Sequence, residues 1–126
     1  MLKFTIPLPP VTKKNSQRIV NTGKFFKILP SKQFEAYQEK AGWLIPCKNL
    51  GIDYPVNIKA IYYMPTARKV DITNLNSALH DVLVHYGVLK DDSSLSPRIV
   101  VGTDGSRVLI DRSNPRTEIE VEAVDA

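Results

Sequence analysis

The sequence predicts an α+β fold in which one mixed β-sheet carries two main helices. Two segments place apolar residues at the three-to-four-residue spacing of an amphipathic helix, and several shorter segments alternate apolar and polar residues as strands do. A chain of 126 residues can bury one hydrophobic core but is too short for two independent ones. We therefore expect residues 1–126 to form a single domain.

The N-terminal part of the chain is expected to begin with strands. Residues 2–8 have the composition of an extended segment, and residues 18–29 are typical of a β-hairpin. The turn of this hairpin would be formed by residues 21–23, because the sequence Asn-Thr-Gly tolerates the positive φ angles that such turns need.

The first helix is predicted over about residues 32–45. Ser31 is a suitable N-cap, and Pro46 stops the helix because proline lacks the N–H group that propagation needs. Its apolar face consists of residues at helical spacing, namely Phe34, Tyr37, Ala41 and Leu44. Such an amphipathic helix should pack on a sheet.

A long strand and the second helix follow. Residues 55–64 alternate at first and then become apolar on both faces, which is typical of a strand covered on both sides. Residues 72–86 form the clearest helical pattern in the sequence, and Gly87 ends it. The apolar stripe of this second helix consists of Ile72, Leu75, Leu79, Val82 and Tyr86.

The C-terminal part is predicted to contain three more strands. Residues 98–111 are typical of a hairpin that turns at Asp104 and Gly105, since Asp-Gly is a common hairpin turn. In residues 118–123, glutamates alternate strictly with apolar residues, which predicts a final strand with one face in solvent.

The charge of the chain favours a polyanionic partner without requiring one. The net charge is +4 and the pI is about 9.2. Because the C-terminal strand is acidic, the positive charge is concentrated elsewhere. A basic cluster near the N-terminus consists of Lys13, Lys14, Arg18, Lys24, Lys27 and Lys32.

Several features indicate a soluble, cytoplasmic protein. Cys47 is the single cysteine and cannot form an internal disulfide. The apolar start is broken by Pro7, Pro9 and Pro10, so no secretory leader is expected. No stretch approaches the roughly 20 apolar residues that a membrane-spanning helix needs.

Four carboxylates surround the second predicted helix. Asp71 stands at its N-terminus, Asp81 lies within it, and Asp91 and Asp92 follow it. Helical spacing would place Asp71, Asn74, Asp81 and His85 on one polar stripe, which could line a cleft. Hard cations such as Mg²⁺ prefer oxygen ligands and need only one or two carboxylates beside water and substrate phosphate.

A structural explanation of these residues remains open. Asp71 is also an ordinary helix N-cap, and Asp91 with Asp92 is an ordinary turn sequence. His80 and His85 are expected to be solvated helix residues, and no histidine or cysteine spacing supports a structural zinc site.

The run MPTARKVDITNLNSALHDVLVHYGVLKDD, residues 64–92, resembles the signature of the RusA family of Holliday junction resolvases. The shared features are a basic stretch, an aspartate that opens a helix, Asn-Leu shortly after it, a mid-helix aspartate, and an Asp-Asp pair after a glycine. The resemblance extends to KKNSQR near the N-terminus and to DGSR and NPRTEIEV near the C-terminus, so it covers nearly the whole chain.

The resemblance implies a RusA-like fold and a Mg²⁺-dependent, or Mn²⁺-dependent, endodeoxyribonuclease that resolves Holliday junctions or other branched DNA in recombination and repair. The implied metal ligands are Asp71, Asp92, Asp91 and Thr73, and the implied catalytic residues are Asp71, Asp81 and Asp92. The family has an aspartate at the position of Thr73 and a lysine at that of Ser77. Asp81 is the expected replacement for the missing carboxylate, and Arg68, Lys69 or an N-terminal basic residue for the missing lysine.

The implied partners are branched DNA and a second copy of the chain in a homodimer, since resolution needs two symmetric nicks. The expected DNA-binding residues are Lys13, Lys14, Asn15, Arg18, Arg68, Lys69, Asn74, Arg107 and Arg116. One alternative is a branched-DNA-binding protein whose catalysis is weakened by Thr73 and Ser77. Another is a small interaction domain without DNA affinity.

Overall fold

The computed structural model describes residues 1–13, 18–21, 23, 26–29, 31–90 and 99–124, with the backbone alone for 18–21 and 26–29. In chain order the elements are β1 (Leu2–Ile6), β2 (Arg18–Asn21), β3 (Phe26–Leu29), α1 (Lys32–Leu44), β4 (Val56–Met64), α2 (Ile72–His85), β5 (Val100–Gly102), β6 (Arg107–Ile110) and β7 (Arg116–Ala123). The predicted α+β architecture is confirmed, because a mixed five-stranded sheet accompanies two helices.

The large sheet is built around β4. One edge of β4 pairs antiparallel with β7, which in turn pairs antiparallel with β1. Strands β2 and β3 form a separate two-stranded antiparallel sheet, with Arg18 opposite Leu29 and Asn21 opposite Phe26. The predicted hairpin over residues 18–29 is therefore confirmed, and Gly23 in its connection has a positive φ of 92°. Asn21, expected in the turn, is instead the last residue of β2 and pairs with Phe26.

The predicted hairpin over residues 98–111 is wrong. Strands β5 and β6 do not pair with each other, because both lie parallel to β4, one after the other along the edge of β4 that does not face β7. Asn57 on β4 holds the connection between β5 and β6 in place. Its Nδ2 donates to the carbonyl of Asp104 (3.2 Å), and its Oδ1 accepts from the N–H of Asp104 (2.9 Å). Ser106 Oγ also accepts from the N–H of Ala60 (3.1 Å). The Asp104–Gly105 sequence therefore connects two consecutive strands on the same edge of β4, and the chain does not reverse there.

One face of the sheet packs on the helices. Alternate residues of β4 are buried, so the expectation that both of its faces are covered is wrong. The opposite face carries charged pairs, with Glu120 accepting from Lys3 at 3.3 Å and from Lys59 at 3.5 Å. Residues of both helices join the covered face in one core, including Phe34, Tyr37, Ala41, Ile58, Tyr62, Leu75, Leu79, Val82, Ile119 and Val121. Leu44, expected on the apolar face of α1, is exposed, and Ile45 is buried instead.

Two tyrosine hydroxyls connect α2 to its neighbours. Tyr62 on β4 donates to Asn76 Oδ1 on α2 at 2.6 Å, and burial raises the pKa of its phenol. Tyr86, the C-cap of α2, donates to the carbonyl of Gln38 on α1 at 2.6 Å. These hydrogen bonds set the rotation of α2, and with it the side chains that this helix presents to solvent.

The C-terminal end of α2 is built around Gly87, whose φ is 71°. Its N–H donates to the carbonyl of Val84 at 3.0 Å, and its carbonyl accepts from Gly51 at 2.8 Å. A short ladder then continues, in which Lys90 donates to the carbonyl of Ile52 at 2.9 Å. Backbone hydrogen bonds thus fix the position of the chain as far as Lys90, which directly precedes Asp91.

No helix in the described part of the chain is long and apolar enough to cross a membrane.

Candidate active site

Asp71 is the N-cap of α2, as the structural explanation of this residue required. Its Oδ1 accepts a hydrogen bond from the N–H of Thr73 at 2.8 Å, and the side chain is exposed. A carboxylate has about four lone-pair positions. The cap uses one of them, so capping the helix and binding a cation at the same residue are compatible.

The exposed face of α2 differs from the predicted polar stripe. That stripe would have included position 78, but Ala78 is 1 % exposed, and Asn74 is half-buried, so the stripe runs along the edge of the core. The most exposed row follows i, i+4 spacing and consists of Thr73, Ser77, Asp81 and His85. Asp81 therefore shares a surface with the two positions at which this chain departs from the family pattern.

Asp81 lies too far from Asp71 to share a metal ion with it. The two residues are ten positions apart on or at the start of one helix, which separates them by about 15 Å along the axis. Ligand oxygens lie about 2.1 Å from a bound Mg²⁺. The expectation that Asp81 replaces the missing carboxylate at the Asp71 site is therefore wrong on geometric grounds. Asp81 Oδ2 instead accepts from Lys13 Nζ in an ion pair.

A polar groove of about 460 Å³ runs along this exposed row. Its walls consist of Thr73, Asn76, Ser77, His80, Asp81 and Thr103. An adjoining cavity, also of about 460 Å³, shares His80, Asp81 and Thr103 with it. Lys90 and Ile99, the described residues on either side of residues 91–98, line that second cavity.

His80 is less solvated than expected. Its Nε2 is buried and has no hydrogen-bond partner within the part of the chain that the structure describes. Burial lowers the pKa of this imidazole, and the nearby Asp81 carboxylate opposes that shift. His85, in contrast, is exposed and touches the Tyr86 ring edge-on at a centroid distance of 4.8 Å.

Several of the predicted DNA-binding cations lie close to α2. Arg68 and Lys69 are exposed just before Asp71, and they line a small cavity with residues 9–12 of the N-terminal segment. That segment continues to Lys13, at the Asp81 carboxylate. Cations from two distant parts of the sequence therefore meet along one helix, which sequence spacing alone could not predict. Arg107 is exposed on β6.

The guanidinium of Arg116, one of the expected DNA-binding residues, is engaged within the protein. Its Nη1 donates to Asp111 Oδ2 at 2.8 Å and to the carbonyl of Asn114 at 3.0 Å, and its Nε donates to Glu118 Oε2 at 3.0 Å. The guanidinium also lies 3.8 Å from the centre of the Tyr63 ring. The hydrogen bond from Arg116 lowers the pKa of Asp111. Arg116 is therefore a structural cation of the polar sheet face.

Other expected site residues lie outside the described residues. These are Lys14, Asn15, Asp91 and Asp92, together with the side chain of Arg18. Among residues 1–13, 31–90 and 99–124, no three His, Cys, Asp or Glu side chains form a group that could hold a metal ion. The proposed metal set thus remains a prediction, of which the structure describes Asp71 and Thr73.

The fold and the site define a small α+β domain in which exposed carboxylates and cations surround one central helix. Residues 7–122 match the family described as endodeoxyribonuclease RusA, and the chain belongs to this family. It is also similar to the crossover junction endodeoxyribonuclease RusA of Aquifex aeolicus (strain VF5), with 34% identity over 86 residues. That match covers 67% of this chain and 66% of the relative, just under two thirds of the relative's length.

Proposed function

We propose that this protein is a structure-selective endonuclease that resolves Holliday junctions or other branched DNA by hydrolysing phosphodiester bonds. The observation that carries the proposal is the exposed Asp71 carboxylate at the start of α2, with exposed Arg68 and Lys69 just before it, in a chain that matches the RusA family over residues 7–122. The relative from Aquifex aeolicus is named as a crossover junction endodeoxyribonuclease, which supports the same activity and substrate class.

The proposed cofactor is Mg²⁺, or Mn²⁺ in its place. Asp71 and Asp92 would supply the carboxylates, with Asp91 and the Thr73 hydroxyl as further oxygen donors. This set fits a hard cation, which is usually held by one or two carboxylates together with water and substrate phosphate. When bound, such an ion polarises a phosphate oxygen and lowers the pKa of the attacking water.

The chain's own cations would bind and orient the DNA. The exposed Arg68 and Lys69, which directly precede Asp71, would contact backbone phosphates near the cleaved bond, and such contacts supply affinity without base specificity. Thr73 contributes a neutral hydroxyl where the family has a carboxylate, so the site carries one negative charge fewer. We therefore expect weaker metal affinity than an all-aspartate site would have.

The second candidate function is a branched-DNA-binding protein with weakened catalysis. Thr73 and Ser77 favour it, because both line the groove at the positions where the family has an aspartate and a lysine. Metal dependence separates the two candidates: junction affinity without metal and negligible cleavage with Mg²⁺ or Mn²⁺ would identify the binding protein. For either function we propose a cytoplasmic homodimer whose two sites face opposing strands, and sedimentation at micromolar concentration tests the dimer.

The test of the proposed activity is cleavage of a synthetic four-way junction by the wild type, Asp71→Asn and Asp92→Asn. Asparagine caps helices about as well as aspartate, so Asp71→Asn should keep the fold of α2 and remove only the charge. We expect each variant to cleave at least about 100-fold more slowly, since a metal ion contributes several kcal/mol to such a transition state.

Asp53→Asn is the matched control, because Asp53 is exposed and lies outside α2 and the groove. It should cleave at the wild-type rate. Undiminished cleavage by Asp71→Asn and Asp92→Asn would refute the proposed metal site.

A further inference from the structure

An ion pair between Lys13 and Asp81 joins the N-terminal segment to α2. The two residues are 68 positions apart in the sequence. Both side chains remain accessible, with relative exposures of 34% for Lys13 and 47% for Asp81. Asp81 also lines the polar groove, one helical turn from Ser77 and two from Thr73.

The carboxylate of Asp81 is unexpected on a surface proposed to bind DNA, because it carries the same charge as the phosphates. It cannot act on an ion at Asp71, because the rise of the helix places the two residues about 15 Å apart. A bare carboxylate there would repel phosphates, but the ammonium group of Lys13 neutralises it. The contact also restricts a long side chain before any DNA arrives, which reduces the entropy that is lost on binding.

We infer that Asp81 is a positioning residue that anchors Lys13, so that the Lys13 ammonium contacts a phosphate of the DNA strand lying in the groove of α2. This inference rests on the proposed function, and it supplies a cation one helical turn from Ser77, where the family has a lysine. An ammonium has three N–H donors, so one can stay on Asp81 while another contacts a phosphate oxygen.

The other groups of the groove suit a phosphate backbone. Thr73 and Ser77 contribute hydroxyl donors, and Asn76 contributes an amide that also accepts from Tyr62. Lys90 lines the adjoining cavity beside Asp81 and adds a second ammonium to this surface. Asp81 is the one carboxylate among the described residues that line the groove, and its charge is paired with that of Lys13.

The test is a double-mutant cycle with Lys13→Ala, Asp81→Asn and the double variant. Junction affinity is measured at several salt concentrations, and single-turnover cleavage is measured against Mn²⁺ concentration. We expect Lys13→Ala to weaken binding about tenfold, as the loss of one charge-assisted hydrogen bond does. Its plot of log affinity against log salt should flatten by about 0.9, which corresponds to one phosphate contact.

Asp81→Asn should weaken binding about threefold, because the ammonium is kept but no longer held in place. The double variant should bind as well as Lys13→Ala or up to about threefold better, because without Lys13 the Asp81 carboxylate anchors nothing and only repels phosphates. Half-saturation by Mn²⁺ should be the same in all variants. Lys13→Arg should restore near-wild-type affinity, because it keeps both the charge and the ion pair.

The matched control is the pair Lys3→Ala and Glu120→Gln, which removes the same charges from an ion pair on the opposite face of the sheet. These variants should bind and cleave as the wild type does, and urea unfolding of every variant checks that the fold is intact. Tighter binding by Asp81→Asn would show that Asp81 competes with DNA for Lys13. Additive effects, or a change in Mn²⁺ half-saturation with Asp81→Asn alone, would equally overturn the inference.

The same experiment separates this inference from the proposed function. A wild type that binds and cleaves junctions, with variants that behave like the controls, would refute the positioning role and leave the activity in place. A wild type that neither binds nor cleaves junctions would refute both.

Discussion

Substituting Gly87 by alanine tests how the end of α2 is held in place before the Asp91–Asp92 pair. Gly87 has a φ of 71°, in the left-handed region that costs other residues about 1–2 kcal/mol. A Cβ added there would lie 2.9 Å from Asn49 Oδ1, 3.1 Å from its Cα and 3.3 Å from its N. Because two of these atoms are backbone, the segment containing Asn49 has to move, and such overpacking costs about 1–3 kcal/mol.

Gly51→Ala is the matched control for this substitution. Its φ of 61° is also left-handed, but no heavy atom lies within 4 Å of an added Cβ. The two variants share the backbone strain and the change in unfolded-chain entropy, so their difference isolates the contact with Asn49. We expect Gly87→Ala to lose about 1–3 kcal/mol more than Gly51→Ala in free energy of unfolding.

Urea denaturation followed by circular dichroism measures this difference, and equal m-values would show that both variants unfold from similar native states. We also expect Gly87→Ala to cleave junctions more slowly than Gly51→Ala, because the displaced Asn49 segment is hydrogen-bonded to residues 86–90, which lead to Asp91. Equal losses of stability in the two variants would refute the reasoning about close packing at the end of α2.

Three further predictions concern other parts of the structure. Tyr62→Phe removes the 2.6 Å hydrogen bond to Asn76 and should lower the free energy of unfolding by about 1–2 kcal/mol in urea titrations; an unchanged value would mean that this bond does not hold α2. Burial lowers the pKa of His80 below its usual 6.5, so the unfolded chain binds more protons just below that pH, and stability should fall as the pH drops from 6.5 until the folded pKa is reached. His80→Gln should remove this part of the pH dependence in denaturation curves between pH 5 and 8, and an identical profile would contradict the assignment. Arg68→Ala should weaken junction binding and flatten its salt dependence by about 0.9, whereas Arg116→Ala should leave both unchanged, and a reversed order would mean that Arg116 leaves its carboxylate partners to meet DNA.

The helices and the main strands could be predicted because their signals are local. In α2, the spacing of Leu75, Leu79 and Val82 follows the 3.6-residue period, Asp71 caps the start and Gly87 ends the helix. The observed limits agree with the predicted ones within two residues for both helices. The family resemblance also lies in short contiguous motifs, so the amino-acid sequence is sufficient to recognise it.

The edge strands could not be predicted in the same way. The Asp104–Gly105 sequence reports a local positive φ, which is 86° at Gly105, but it does not specify whether the chain reverses. The direction is decided by β4, through hydrogen bonds from Asn57 and Ala60 to residues more than 40 positions away. Pairing of this kind depends on which distant strand offers a free edge, and the local sequence of β5 and β6 does not contain that information.

The sequence by itself determined the family, the two helices, the central strand and the candidate carboxylate at the start of α2. The tertiary structure alone decided which charges meet: Lys13 with Asp81, and Arg116 with Asp111 and Glu118. The physical reason is the sequence separation over which each kind of interaction acts. Capping and amphipathic spacing act between residues a few positions apart, whereas an ion pair depends on how distant segments pack, and that packing places Asp81 beside a lysine and not beside Asp71.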